Sequence, residues 1–599
     1  MTAPHFDSSP YSSRRAFLQH LGAIGGASLV MNAMSAWDLM AEPAGARPVL
    51  SGRPAKNRVL ILGGGTSGLV LAYELGKLGY DYHVLEARQR VGGIVWSVRK
   101  GDSHTEIGGD TQVCTWDEGQ YVNAGAWRIP HSHEGVLGYC RELGVPMQVF
   151  LNDSDANYFF YEGKAGGPLA DRKVRMREVK ADLTGQINEL LVKAVDAKQL
   201  DLPMSADDQK RLTDFLIRQG YLDSTTRTYK AFADRGEGDP IALASLLEAG
   251  FGNRLRSIPP MEGTAAAPMF QPIGGMDQIC KTLQRAIGPK RLTDFLIRQG
   301  YLDASTRTYQ AFADRGEGDP IALASLLEAG FGNRLRSIPP MEGTAAAPMF
   351  QPIGGMDQIC KALHRAIGPK RLTFGAEVQA VHQDDAGVKV RYKDTAKGKV
   401  TELTADFVVS CLPLSVLSGI DINISDDMKA AIKRVTYSDS AKIGLAMKRR
   451  FWEEDDRIFG GHLYSNLPIG EFSYPSYDYF QKKGVLLGLY SNGPIQDLSS
   501  RTIPQRVEHV LMHASKVHPQ IRAEFESAYV VYWRKVPYSL GGYATVRGAA
   551  LREQLSKVEN RILIGSAATA PKSLPDWQEG AVSAAWQALT SLHERAMRA

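Results

Sequence analysis

Three groups of residues have types and spacings that could do chemistry. In NRVLILGGGTSGLVLAYELGKLGYDYHVLEARQRVGG (57–93), an apolar run ends in a glycine turn and is followed by a helical pattern and a second apolar run ending in an acid. Gly63 permits the tight turn, Gly65 lets the backbone approach a pyrophosphate, and Gly68 allows a helix to pack closely on a strand. The helix start at Thr66 and Ser67 offers free N–H groups and the positive end of its dipole to phosphates. Glu86, eighteen residues after Gly68, is placed to accept hydrogen bonds from ribose hydroxyls. The second group is Arg128 in AGAWRIPHSH (124–133), a cation among apolar residues. Its planar guanidinium can grip a carboxylate through two parallel bonds; the alternatives are a structural salt bridge or a phosphate contact. The third is Lys442, whose apolar neighbours Ile443, Leu445 and Met447 predict a partly desolvated amine. The ordinary alternative is a lysine on an edge strand.

The elements that must position these groups read as a mixed α/β chain. Strands are predicted at 59–62 and 81–85 around the glycine turn, and again at 376–381, 388–392 and 406–411. They imply a Rossmann-like dinucleotide domain built from discontinuous pieces at 57–110, 346–435 and 551–599. Alternating segments KIGLAM, GVLLGLYS and AYVVYW within 441–533 predict a substrate-binding β-sheet domain, assembled from 111–164 and 436–550. Residues 165–345 read as a helical domain. It contains most of a tandem repeat: 211–290 recurs as 291–370 with five differences. Two near-identical copies cannot fill one closely packed slot, so the working fold is expected to combine the front of one copy with the back of the other.

Composition narrows the functional classes. Seventy basic and 65 acidic residues leave a net charge of +5 on 599 residues, too weak a field to imply nucleic acid or anionic lipid. Five cysteines with no CxxC spacing suggest neither a disulfide scaffold nor a metal site, but buried thiols. Arg14 and Arg15 precede an apolar stretch interrupted by Gly22, Gly25 and Gly26, which resembles a twin-arginine export signal within 1–46 rather than a stable membrane span. A periplasmic or secreted location follows as the expectation.

Beyond the glycine turn, EARQRVGG adds Arg88, Arg90, Gly92 and Gly93. With AGAWRIPHSH, PIGGMDQI before RLTFGAEVQAV, SAKIGLAMKRRFWEED and DWQEGAVSAAWQAL in this order, the chain resembles the flavin amine oxidase family, and within it the L-amino acid oxidases. The resemblance implies FAD, held by Gly63, Gly65, Thr66, Ser67, Gly68, Glu86, Ala87, Arg88, Gly92, Gly93, Gly125, Ala126, Trp127, Arg128, Val378, Gly565, Ser566, Trp577, Gln578 and Ala581, and no metal. It further implies that Arg128 and Tyr474 bind a substrate carboxylate, that Lys442 holds a water beside flavin N5 as a fixed positive charge, and that Trp577 walls the substrate pocket. Tyr474 could instead pack on Pro475, and Trp577 at a helix cap. Two departures stand out: Ile94 replaces a frequent arginine, and Ser566 a frequent acid. His131, His133 and His462 are assigned no role. The implied reaction is oxidation of an L-amino acid by O2 to the 2-oxo acid, ammonia and hydrogen peroxide, with a homodimer left open. The alternatives are a flavin amino-acid monooxygenase releasing an amide, an oxidase of simple amines, or a catalytically impaired flavin-binding protein.

Overall fold

The structure is a computed structural model. It describes residues 47–163 except 56, 132 and 153; 169–179; 189, 193, 213, 222, 225–229 and 241–249; and 349–598 except 492, 494–497 and 571–577. These residues belong to one unit, 1–259 with 342–599; the second unit, 260–341, lies outside them.

A five-stranded parallel sheet carries the glycine turn. Its strands are β1 (Arg58–Leu62), β2 (Asp81–Glu86), β3 (Leu372–Phe374), β4 (Phe407–Ser410) and β5 (Ile562–Ile564), in the order β3-β2-β1-β4-β5. The register sets Leu62 opposite both Leu85 and Ser410, so the carboxyl ends of the three central strands are level. Every second residue faces the same side of a strand: Val59 and Ile61 enter one core, Leu60 and Leu62 the other. Burial on both faces explains the unbroken apolar run VLIL.

Three helices cover the first face. They are α1 (Thr66–Lys77), α2 (Gln358–Ile367) and α3 (Gln578–Arg598), which share a core of Leu69, Leu75, Ile359, Leu363, Val582 and Leu589. The second face carries a four-stranded sheet of Ala376–Gln383, Val388–Asp394, Val400–Ala405 and Asp421–Ile422. Its inward residues Val381, Val388 and Val390 meet Leu60 and Val408.

A seven-stranded sheet forms the other large layer, in the order Val174–Arg175, Tyr158–Phe160, His462–Ser465, Glu471–Ser473, Gly484–Ser491, Ala441–Met447, Phe525–Tyr532. Lys442 therefore sits on an interior strand, opposite Tyr490 on one side and Val531 on the other. The edge-strand alternative fails for that reason. Ile443, Leu445 and Met447 point into one core, whereas Lys442 shares its face with Gly444 and Ala446, so its neighbours in sequence are not what covers it. Within the expected helical region, Val174–Arg175 is a strand, added to this sheet at its margin.

Both copies of the repeat contribute described residues. The first supplies the helix Leu243–Glu248, and the second supplies Met349–Pro352 and α2. Met349–Pro352 pairs with Met147–Phe150 and with Ile129–Pro130, the strand that follows Arg128. Most of the remaining residues of both copies lie outside the described set.

Gly68 shows how little space the turn leaves: a Cβ there would stand 2.0 Å from the carbonyl oxygen of Gly63. Gly68→Ala is expected to lower stability by about 1–3 kcal/mol or more, because backbone must move. Gly138→Ala, whose Cβ would meet nothing within 4 Å on a helix surface, should be neutral or slightly stabilising. Urea unfolding of both variants against the parent checks the contrast, which an equal midpoint for all three would contradict.

Candidate functional site

All five parallel strands end at one cavity of about 590 Å³, a size usual for cofactor sites. Its lining includes Gly63 after β1, Glu86 at the end of β2, Ala376 after β3, Cys411 after β4 and Ser566 after β5. Ligands of open parallel sheets bind at the carboxyl ends where the strand order reverses. Here that point lies between β1 and β4. The cavity reaches Gln578 and Ala581 at the start of α3, so the amino-terminal ends of α1 and α3 both open into it.

The acid predicted from the glycine spacing is in place. Glu86 is buried, and its carboxylate accepts the backbone N–H groups of Gly64 (2.8 Å) and Arg88 (2.9 Å). One bond to each oxygen leaves further lone pairs for ribose hydroxyls. Arg88 lines the cavity, but its guanidinium donates to the Pro537 carbonyl (2.6 Å) and the Ser539 hydroxyl (2.7 Å), which ties the 537–544 segment along the cavity wall. Burial lowers the pKa of Arg88, partly countered by Glu86.

The two glycine loops meet back to back. Gly65 pairs with Gly92, and a Cβ on Gly93 would lie 3.4 Å from the Gly65 Cα. Gly92 and Gly93 have φ of 99° and 56°, favourable to glycine. Thr66, Ser67, Ala87, Ala126 and Val378 also line the cavity. Gly68, Gly125 and Gly565 do not; they serve close packing, and a Cβ on Gly125 would come within 1.6 Å of the Ile94 carbonyl oxygen. Ser566 lines the cavity beside Tyr437, whose hydroxyl pairs with it and accepts the Leu414 N–H at 2.7 Å.

These residues fit a flavin dinucleotide. The decisive observation is Gln578: it is 9% exposed, lines the cavity, and among the described residues has no hydrogen-bond partner for either its amide nitrogen or its oxygen. Buried amides are nearly always paired, so this carboxamide calls for a polar ligand edge. Glu86 for a ribose, the start of α1 for phosphates and Gln578 for a heteroaromatic edge all line the one cavity.

A second cluster gathers around Trp127, whose ring packs against Phe150, His462 and Tyr490 at centroid distances of 5.1, 5.1 and 5.5 Å. The Arg128 guanidinium lies 5.0 Å from the Trp127 ring. Lys442, 1% exposed, donates to the carbonyl oxygens of Gly125 (2.5 Å) and Asn123 (3.2 Å) and lies 4.3 Å over the Tyr490 ring. Burial, and then repulsion by Arg128, push its pKa well below the usual lysine range.

Tyr474 lies elsewhere. It is fully buried, and its hydroxyl meets His518 Nε2 at 2.7 Å, while His518 Nδ1 meets Asp456 at 3.1 Å and the Tyr158 hydroxyl donates to Asp456 at 2.9 Å. That hydroxyl is committed to a core network and does not line the cavity. Trp577 falls outside the described residues.

Sequence reasoning missed the cavity walls formed by 411–416, Tyr437 and 537–544. The first follow β4, so the strand-end rule could have found them. The last carry Gly541–Gly542 in PYSLGGYA, and Tyr538 and Leu540 adopt φ of 62° and 56°. Such values for non-glycine residues often accompany ligand sites.

Comparison with known proteins agrees with this geometry. The pattern of the family described as flavin containing amine oxidoreductase matches residues 66–588. The L-amino acid oxidase bordonein-L of Crotalus durissus terrificus is 25% identical over 501 residues, covering 81% of this chain and 77% of that protein. The L-amino-acid oxidase of Echis ocellatus is 24% identical over 494 residues, covering 81% and 79%. Among solved structures, a triple mutant of putrescine oxidase redesigned for cofactor binding aligns with a TM-score of 0.51 at 17% identity, covering 90% of this chain and 99% of that one. Putrescine oxidase bound to putrescine aligns at 0.50 and 15%, covering 91% and 99%; at such identity the likeness is one of fold.

His462 gives this cluster a pH signature. Burial, opposed by Glu471 and reinforced by Arg128, lowers its pKa from 6.5 to about 4. As pH falls the unfolded chain takes up the proton first, so this contribution is complete above pH 6.5 and is lost towards pH 4. At pH 4.5 the loss is about 2–3 kcal/mol relative to pH 7. In urea titrations at both pH values, His462→Gln should lose less stability on acidification than the parent by about that amount; parallel losses would refute the assignment.

Proposed function

The chain belongs to the flavin-containing amine oxidoreductases and carries FAD, and from that premise we propose that it oxidises an L-amino acid with O2 to the 2-oxo acid, ammonia and hydrogen peroxide. The observation that carries the reading is Arg128, a cation beside the Trp127 ring and near enough to Lys442 and His462 to depress both. A cation here suits an anionic substrate group. The L-amino acid oxidases among the similar proteins support the choice of a carboxylate.

In the proposed mechanism Arg128 binds the substrate carboxylate through paired N–H donors and so orients the α-carbon. Tyr474 is not used, because its hydroxyl is bonded to His518. Trp127 and Tyr490 exclude water around Lys442. Lys442 donates to the Asn123 and Gly125 carbonyls, which fixes Nζ against the Tyr490 ring, where it can hold a water. Bound FAD supplies the two-electron acceptor, from which O2 removes the electrons as hydrogen peroxide. The substrate loses two electrons and two protons, from the α-carbon and the amine, and water then converts the imino acid to 2-oxo acid and ammonia. Arg14 and Arg15 extend the proposal to export of the folded, cofactor-loaded chain to the periplasm or beyond.

The test is an anaerobic spectral screen of the holoprotein against the L-amino acids and several amines, followed by peroxide measurement on re-aeration. Bleaching by amino acids, with oxo acid and peroxide as products, is expected. Arg128→Ala should retain FAD and lose about 10²–10³-fold in kcat/KM for amino acids, the worth of a bidentate charged contact, with little change for carboxylate-free amines. An amide product, or equal turnover of plain amines by the parent, would reject the reading.

A further inference from the structure

We propose that Glu579 is a positioning residue that sets the Arg128 segment against the cofactor cavity, and so fixes where a substrate carboxylate stands relative to the flavin; this rests on the reading of Arg128 given above. Glu579 is fully buried near the start of α3. One carboxylate oxygen accepts the N–H of Gly135 at 2.7 Å and the other that of Val136 at 2.8 Å. Both donors belong to the first turn of the helix Glu134–Glu142, where a helix leaves N–H groups without internal partners. The residue before that helix, His133, supplies no side-chain cap. The capping acceptor comes instead from more than 440 positions away in the chain.

A two-point bond fixes both the rotation and the axial position of the helix it holds. Gly135 is needed for the approach: a Cβ there would lie 2.7 Å from the Glu579 carboxylate and 3.0 Å from Trp586 and Val582. Further along the same face, Trp586 Nε1 donates to the Tyr139 hydroxyl at 2.8 Å. Upstream, only the strand Ile129–Pro130 and a short turn separate this helix from Arg128. On the other side of the bond, Gln578 and Ala581 line the cavity. Glu579 thus joins the flavin-facing end of α3 to the arm that carries the guanidinium, without itself lining the cavity.

The experiment titrates holoprotein with benzoate, a carboxylate without an amine, and follows the flavin absorbance. The parent is compared with Glu579→Gln, Glu579→Asp, Gly135→Ala and Arg128→Ala. Glu579→Gln replaces one acceptor with an NH2 group facing a donor, Glu579→Asp retracts the acceptor, and Gly135→Ala forces the two elements apart. All three are expected to keep one FAD per chain, to weaken benzoate binding at least tenfold, and to raise KM for an amino acid more than they lower kcat. Activity on a carboxylate-free amine should stay within about twofold. If Glu579→Gln fails to fold, Glu579→Asp and Gly135→Ala carry the same expectation. Benzoate affinities within twofold of the parent, while Arg128→Ala abolishes binding, would overturn the role of Glu579. So would loss of FAD in step with loss of benzoate, which would make the residue a cap for the fold alone. Equal binding by the parent and Arg128→Ala would instead remove the carboxylate reading, and this inference with it.

Discussion

One steric constraint underlies the whole site: backbone approaches backbone where no Cβ can stand. At Gly68 a side chain would strike the Gly63 carbonyl, at Gly92 that of Val95, and at Gly125 that of Ile94. The first contact holds α1 tight against β1, so that its N–H groups face the cavity. The last presses the Arg128 segment onto the loop that follows the second glycine pair. Close packing transmits any displacement here because interiors have few voids to absorb it. The polar contacts that organise the chemistry, from Glu86 to Gly64 and from Lys442 to Gly125, all depend on carbonyl and N–H groups positioned by these approaches.

The nucleotide half was legible because its signals are local. Gly63, Gly65 and Glu86 lie within one βαβ unit, and the periodicity that predicts β1 and β2 is the one the structure shows. The 537–544 segment was not legible, because what brings it to the cavity is the guanidinium of Arg88 and the pairing of Ala544 with Tyr437, both distant in sequence. Lys442 shows the same limit at a single residue. Alternation correctly implied a strand and a desolvated amine, but the burial comes from Trp127 and Tyr490, distant in sequence, and not from Ile443 and Leu445.

Tyr474 marks where a resemblance stops short of a role. The motif places a tyrosine near the end of Glu471–Ser473, yet His518 and Asp456, from separate elements, take its hydroxyl into the core. Lys442 differs in another way: its desolvation was readable, but Arg128 and the loss of hydration oppose its charge. In both cases the residue type was readable, whereas its state is set by partners that only the tertiary structure supplies.

The lining of the cavity begins at Gly63 and ends at Ala581. Ribosomes add about 5–20 residues each second, so roughly 25–100 s separate the emergence of the ribose-binding acid from that of the last wall. A nascent chain has no complete berth for its coenzyme during that interval. Capture of the coenzyme is therefore a late event in biogenesis, and a chain truncated anywhere before its final helix would be an empty vessel.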